Sequence, residues 1–162
     1  RKADQNTYEV KHVIALDAAV GETLTVAGFE VINYDDVVSE CGGAEWTQIQ
    51  EELKVGNNMT RPTRKAAIKG AKECEVKFFA FATLDQQMST VAASGQKKTT
   101  VAITAQVWNV SKRLPRKVAS VSIPNMGGFG SNDNEAYLDA LRRGAKEAAT
   151  RIVDQLNLKG LK

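Results

Sequence analysis

The chain has 162 residues, 43% hydrophobic and 25% charged, with 22 Lys and Arg against 19 Asp and Glu. That length suits one domain able to bury a core without a metal or disulfide staple, and the composition excludes extensive disorder. A formal charge of +3 does not by itself demand nucleic acid, and no run of about 18 apolar residues is present to span a bilayer.

The start at Arg1, with no signal peptide visible, reads as a processed or truncated end. Two cysteines, Cys41 and Cys74, do not form a CxxC pair, and His12 is the single histidine. A structural zinc site takes four Cys or His ligands, so no metal is expected. The cysteines are read either as one disulfide, as an exported chain would carry, or as two buried thiols.

Residues 1–7 are polar. Val13, Leu16, Val20, Leu24 and Ala27 then recur at three- and four-residue spacing, which predicts a helix with Gly28 at its C-terminal cap. A strand over Val10–Leu16 before a shorter helix is the alternative. Phe29, Val31 and the run Glu30–Tyr34 predict a strand, ended by Asp35 and Asp36. One or two short helices are predicted across 36–56, where Trp46, Ile49 and Leu53 share helical spacing and Gly56 supplies a stop. Thr63 is predicted to cap a helix reaching Glu73, with Ala67, Ile68 and Ala71 as a thin apolar stripe.

Val76–Leu84 is the strongest predicted strand. Phe79 and Phe81 oppose Val76, Phe78, Ala80, Ala82 and Leu84, which predicts a central strand covered on both faces. Residues 85–98 are polar and end it, part of them continuing as an edge ribbon. Thr99–Asn109 and Val118–Ile123 alternate and predict an antiparallel pair joined by a basic hairpin loop, Ser111–Arg116. Pro124–Asp133 predicts a glycine-rich loop. Asn132 and Glu135 have capping-box spacing, and Leu141, Ala145, Ala148, Ile152 and Leu156 line one face of a final helix. This order predicts a single layered domain of α/β or α+β class over residues 1–162, a mixed sheet with an antiparallel hairpin, flanked by helices.

No residue set forms a catalytic constellation. His12 could pair with a cysteine, but neither cysteine has a nucleophile context. Asp35 and Asp36 read as turn residues rather than metal ligands. The segment Asn125–Gly130 lies where backbone amides cradle phosphate. It lacks the Gly-Lys-Ser/Thr end of a Walker motif and a complete GxGxxG, and Asp133 and Glu135 would repel phosphate. No cofactor and no small-molecule substrate are therefore expected. Phe129, set among Gly127, Gly128 and Gly130, reads as an aromatic on a mobile loop tip suited to docking into a protein partner.

Arg61, Arg64, Lys65, Lys69 and Lys72, with Lys112, Arg113, Arg116 and Lys117, form either a solvated face or a patch for an anionic partner. Trp108, next to the hairpin that carries Arg113 and Arg116, is a candidate contact anchor. Exposure is expected for Trp46, and for Trp108 either exposure or packing in the core or at an edge. No aromatic interleaving marks a platform for single strands, so nucleic acid is the lesser reading.

Four stretches in order, "GFEVINYDDV", "RKAAIKGAKECEVKFFAFATL", "KTTVAITAQVWNVSKRLPRKVASVSI" and "YLDALRRGAKEAATRIVDQL", give residues 13–156 a pattern that resembles the TolB-N-like envelope domains. That group includes the curli secretion channel lipoprotein, the lipoprotein activators of penicillin-binding proteins and the middle domain of flagellar assembly protein T. The resemblance implies a periplasmic or outer-membrane-associated module, or a fragment of a longer envelope protein. Such a module would serve secretion, flagellar, pilus or cell-wall machinery through contacts with envelope proteins or with further copies of itself. Membrane contact would come only through a removed anchor or a partner. No catalytic residue is carried over.

Overall fold

The computed structural model describes residues 18–55, 58–87 and 89–161. In chain order these form α1 (residues 18–26), α2 (Tyr34–Cys41), α3 (Trp46–Val55), α4 (Arg61–Glu73), β1 (Phe78–Gln86), β2 (Thr90–Val91), β3 (Lys97–Asn109), β4 (Arg116–Gly130) and α5 (Asp133–Leu158). The class is α+β, and the sheet is antiparallel. His12, Val13, Leu16 and the alternative strand Val10–Leu16 lie outside the described residues, as does Gly56.

β3 pairs with β1, β2 and β4. Its odd-numbered residues Val101, Ile103, Ala105 and Val107 are buried, as the period-2 alternation demands. The Val110 amide donates to the Lys77 carbonyl at 2.9 Å and the Gln87 amide to the Thr100 carbonyl at 2.8 Å, which fixes one antiparallel register. β2 sets Thr90 opposite Lys98 and Val91 opposite Lys97, one residue out of that register. The expectation that Val76–Leu84 is a central strand is corrected: among the described strands β1 pairs with β3 alone. Only Phe79 of β1 is buried, and Ala80 is exposed. The aromatic density that suggested two covered faces comes from Phe79 and Phe81 joining one local core.

The chain divides into two compact units, to each of which β1, β3 and β4 contribute residues. The first takes residues 18–30, Leu84–Thr104 and residues 121–161. There α5 lays Leu141, Ala145, Ala148, Ile152 and Leu156 into the core, as expected from sequence. Arg142, Arg143, Lys146 and Arg151 are exposed.

The glycine-rich segment is not a loop. β4 continues through it to Gly130, and its glycines are packing residues. A Cβ on Gly128 would overlap the Ala140 amide nitrogen and the Ala136 carbonyl oxygen, and one on Gly130 would overlap the Ala136 amide nitrogen. The strand thus runs against the helix backbone at a distance only glycine permits. Gly144 of α5 accommodates the Ile103 side chain in the same way. Polar ties complete the contact: Arg143 Nη1 donates to the Gly127 carbonyl at 3.2 Å, and the Phe129 amide donates to Asp139 Oδ2 at 3.0 Å.

α5 starts as its sequence suggests. The Glu135 amide donates to Asn132 Oδ1 at 2.9 Å. The Glu135 carboxylate accepts from the amide and hydroxyl of Ser131, one residue before the cap.

The second unit is Val31–Thr83 with Ala105–Ser120. Its core joins Ala44, Ile49, Met59, Ala67, Ile68, Ala71, Phe79 and Val110. Two sequence expectations fail here. The strand expected at Glu30–Tyr34 is absent, and Tyr34 instead opens α2. Asn33 stands in extended conformation as its N-cap, and Asp35 and Asp36 in the first turn complement the helix dipole. Thr63 is not the cap of α4. Thr60 holds that position, Pro62 follows in the first turn, and Thr63 is buried inside the helix.

Three helices end in the same hydrogen-bond pattern. Phe29 donates to Leu24 and Gly28 to Thr25 after α1. Val76 donates to Ala71 and Glu75 to Lys72 after α4. Leu161 donates to Leu156 and Gly160 to Asn157 after α5. Each is a Schellman motif, whose C′ residue takes positive φ. Gly28 and Gly160 do so freely, whereas Glu75 adopts φ 58° with a side chain. Glu75→Gly is therefore expected to raise stability by about 0.5–1 kcal/mol. Urea denaturation checks this, and an unchanged or lowered midpoint contradicts it.

Candidate functional site

The second unit gathers the basic residues singled out in the sequence. Arg61, Arg64, Lys65, Lys69 and Lys72 lie on α4, and Lys112, Arg113, Arg116 and Lys117 lie on or beside the β3–β4 turn. The turn begins as an Asx turn: buried Asn109 Oδ1 accepts from the Ser111 amide at 3.0 Å and its hydroxyl at 2.6 Å. Lys72 Nζ then donates to the Arg113 carbonyl at 3.1 Å, which fastens the turn to the C-terminal part of α4. Among the described residues none of these nine cations makes an ion pair with a carboxylate.

Trp108 lies inside this arrangement rather than standing free. The Arg64 guanidinium is 5.1 Å and the Lys117 ammonium 5.7 Å from its ring. Each such contact contributes about 0.5–1 kcal/mol at a partly exposed site. The indole packs against the unit's core, and its Nε1, like Gln106 Oε1, is buried with no hydrogen-bond partner among the described residues. Packing and the two cations therefore orient Trp108. Trp108 is half-buried, in line with the packing alternative, and the exposure expected for Trp46 is corrected to half-buried, its ring centroid lying 6.3 Å from Tyr34's. The exposed apolar residue of this face is Leu114, 71% accessible at the turn and flanked by Arg113 and Arg116. Sequence reading passed it over, although a leucine among four cations in "KRLPRK" was a readable signal.

Cys41 and Cys74 form a disulfide that joins α2 to the end of α4, with 5.6 Å between their Cα atoms. Gly70 beside it lets α4 approach the Gly42 backbone, which a Cβ would overlap. Two open depressions flank the bridge. One, of about 410 Å³, is lined by Glu40, Cys41, Lys69 and Glu73. The other, of about 320 Å³, is lined largely by Gly42, Gly43, Ala66 and Gly70. Tyr34 donates to the Ala44 carbonyl at 2.6 Å, and burial first, then Glu45 and Asp35, push its hydroxyl pKa upward. Among the described residues no group of three or more His, Cys, Asp or Glu is placed to hold a metal ion.

A polar knot that sequence reading missed holds α3 to the start of α4. Glu52 accepts from the Thr60 amide at 2.8 Å, from the Thr60 hydroxyl at 3.0 Å and from the Thr63 hydroxyl. Gln48 Nε2 donates to Thr63 Oγ1 at 3.0 Å. The Thr63 bond foremost, with those from Thr60, holds the Glu52 carboxyl below its ordinary value of 4.5. A depressed carboxyl stabilises the folded state above its unfolded pKa, and that stability is lost as pH falls through the folded pKa. Stability should thus decline from about pH 4.5 downward, and less steeply in Glu52→Gln. Denaturation midpoints measured across that window check this, and parallel declines contradict it.

No family model, curated protein or solved structure matches the chain.

The other sequence-predicted contact residues lie in the first unit. Phe129 is 41% accessible on β4, with Lys98 Nζ 5.8 Å from its ring. It sits on a strand tied to α5, not on a loop tip. Gly127, Gly128 and Gly130 serve strand geometry and helix packing there. Among the described residues no helix is long and apolar enough to cross a membrane.

Proposed function

We propose that this protein is a non-enzymatic interaction module of a bacterial cell-envelope assembly, working in the periplasm or at the outer membrane. It docks protein partners through the cationic face of α4 and the β3–β4 turn. The observation that carries this reading is the fastening of the turn to α4 by Lys72, which brings cations that have no carboxylate partner among the described residues together with exposed Leu114. Cations held without carboxylate partners keep their field available for an acidic partner and raise association rates. An apolar residue at their centre supplies a contact that burial would strengthen. The disulfide favours an oxidising compartment, and the resemblance of the sequence to the TolB-N-like domains is the ground for placing it in envelope machinery.

The same cations favour a second reading, binding of nucleic acid by the basic helix and turn. A crosslinked pull-down from nuclease-treated envelope and cytosolic fractions separates the two. Recovery of secretion, flagellar, pilus or cell-wall proteins supports the first. Recovery of nucleic acid from untreated fractions, with no envelope protein retained after nuclease, overturns it in favour of the second.

A further inference from the structure

Charge is segregated along this chain. No Lys or Arg occurs from residue 12 to 53, and six acids fall within 35–52. No Asp or Glu occurs from residue 86 to 132, a stretch that holds Lys112, Arg113, Arg116 and Lys117. The second unit contains both extremes. Asp35, Asp36, Glu40 and Glu45 are exposed on α2 and before α3, and among the described residues none of them makes an ion pair. Lys69 and Glu40 border one depression without pairing.

Each charged surface also has its own exposed apolar residues. Val31 is 46% and Ile32 53% accessible just before Asp35 and Asp36, and Leu114 is 71% accessible among the cations of the turn. A generic polyanion would occupy only the cationic surface and leave the acidic one unmet. A second copy of this chain offers a complement to both.

We propose that the partner includes a second copy, bound head to tail. The cationic α4–turn face of one molecule would dock on the acidic α2 surface of the next, with Leu114 against Val31 and Ile32. This rests on the reading of the α4–turn face as a docking surface. Such a contact is heterologous: each complex keeps one free surface of each sign at its two ends, so association continues into a ring or an open chain rather than stopping at two. Opposed charges would set its orientation, and salt would weaken it.

The test is sedimentation velocity on the nuclease-treated, disulfide-intact chain in about 50 mM and about 500 mM salt. The expected result is a mass that climbs with concentration past a dimer in low salt and returns to monomer in high salt. Asp35→Asn/Asp36→Asn and Arg113→Gln/Arg116→Gln should each weaken association about tenfold or more. An equimolar mixture of the two variants should give a one-to-one dimer and nothing larger, because only one good pair of surfaces is left. Urea midpoints close to wild type establish that both variants fold. A monomer at all concentrations in low salt overturns the proposal, as does association untouched by either pair of substitutions. So does a mixture that associates no better than its components. A monomeric wild type that still captures envelope proteins overturns self-association alone, whereas loss of capture overturns the docking reading beneath it.

Discussion

Gly128→Ala is expected to cost about 3 kcal/mol or more of stability. The added methyl would meet the Ala140 amide nitrogen and the Ala136 carbonyl oxygen, both backbone atoms of α5. No rotamer change relieves an overlap with backbone. Either α5 moves off β4 or the strand bends, and each disturbs the buried row Ala136, Ala140, Leu141 and Gly144. For a chain of this length the melting temperature should fall by roughly 6–12 °C. Gly127→Ala is the matched control. Its methyl meets only Lys98 Cε at 3.3 Å, the far end of a flexible side chain, and should change stability by no more than about 0.5 kcal/mol. Equal losses for the two would contradict the packing role assigned to Gly128.

Removing the disulfide is the second large effect. Cys41 and Cys74 are separated by 33 residues, and closing a loop of that size restricts the unfolded chain by about 3–4 kcal/mol in the chain-entropy model. The bridge also joins α2 to the end of α4, beside the close approach of Gly70 to Gly42. Cys41→Ala/Cys74→Ala should therefore lower the urea midpoint markedly, and reduction of the wild type should do the same. A midpoint unchanged on both treatments would show that the cross-link contributes nothing to the fold.

The elements read correctly from sequence are those whose own periodicity meets one partner surface. β3 alternates because one of its faces is buried at every odd residue from Thr99 to Asn109, and α5 repeats its apolar residues because one stripe is buried along its length. The hairpin was legible because polar, Pro-containing residues interrupt two alternating runs. Glu30–Tyr34 misled because exposed Val31 and Ile32 look like strand residues, while the helix that follows opens at Tyr34 with two aspartates in its first turn. The glycines of β4 looked like a loop because composition does not distinguish a glycine needed for a turn from one needed for close approach. A better signal was present. Gly128 and Gly130 fall on one face of a strand, and Ala136, Ala140, Gly144 and Ala148 repeat every fourth residue along the following helix. Two such small-residue surfaces can approach closely.

Of the candidate site, the sequence named the cations but not their assembly. Lys72 bridging to a carbonyl 41 residues away, and Arg64 and Lys117 together at Trp108, depend on tertiary placement that no local pattern encodes. The polar knot of Glu52, Thr60 and Thr63 escaped for a related reason. Thr63 has the residue type of a helix cap, but Pro62 is accepted in the first turn of a helix, and this shifts the start upstream to Thr60.

The measurement that bears most directly on the docking role is a paired capture experiment. Wild type and Lys65→Gln/Lys69→Gln/Arg113→Gln/Arg116→Gln, matched for folding by their urea midpoints, are used as bait in nuclease-treated envelope extract at about 100 mM salt. The expected result is a defined set of envelope proteins captured by wild type and reduced about tenfold or more by the variant. Equal capture by both baits would contradict the assignment of the α4–turn face as the docking surface.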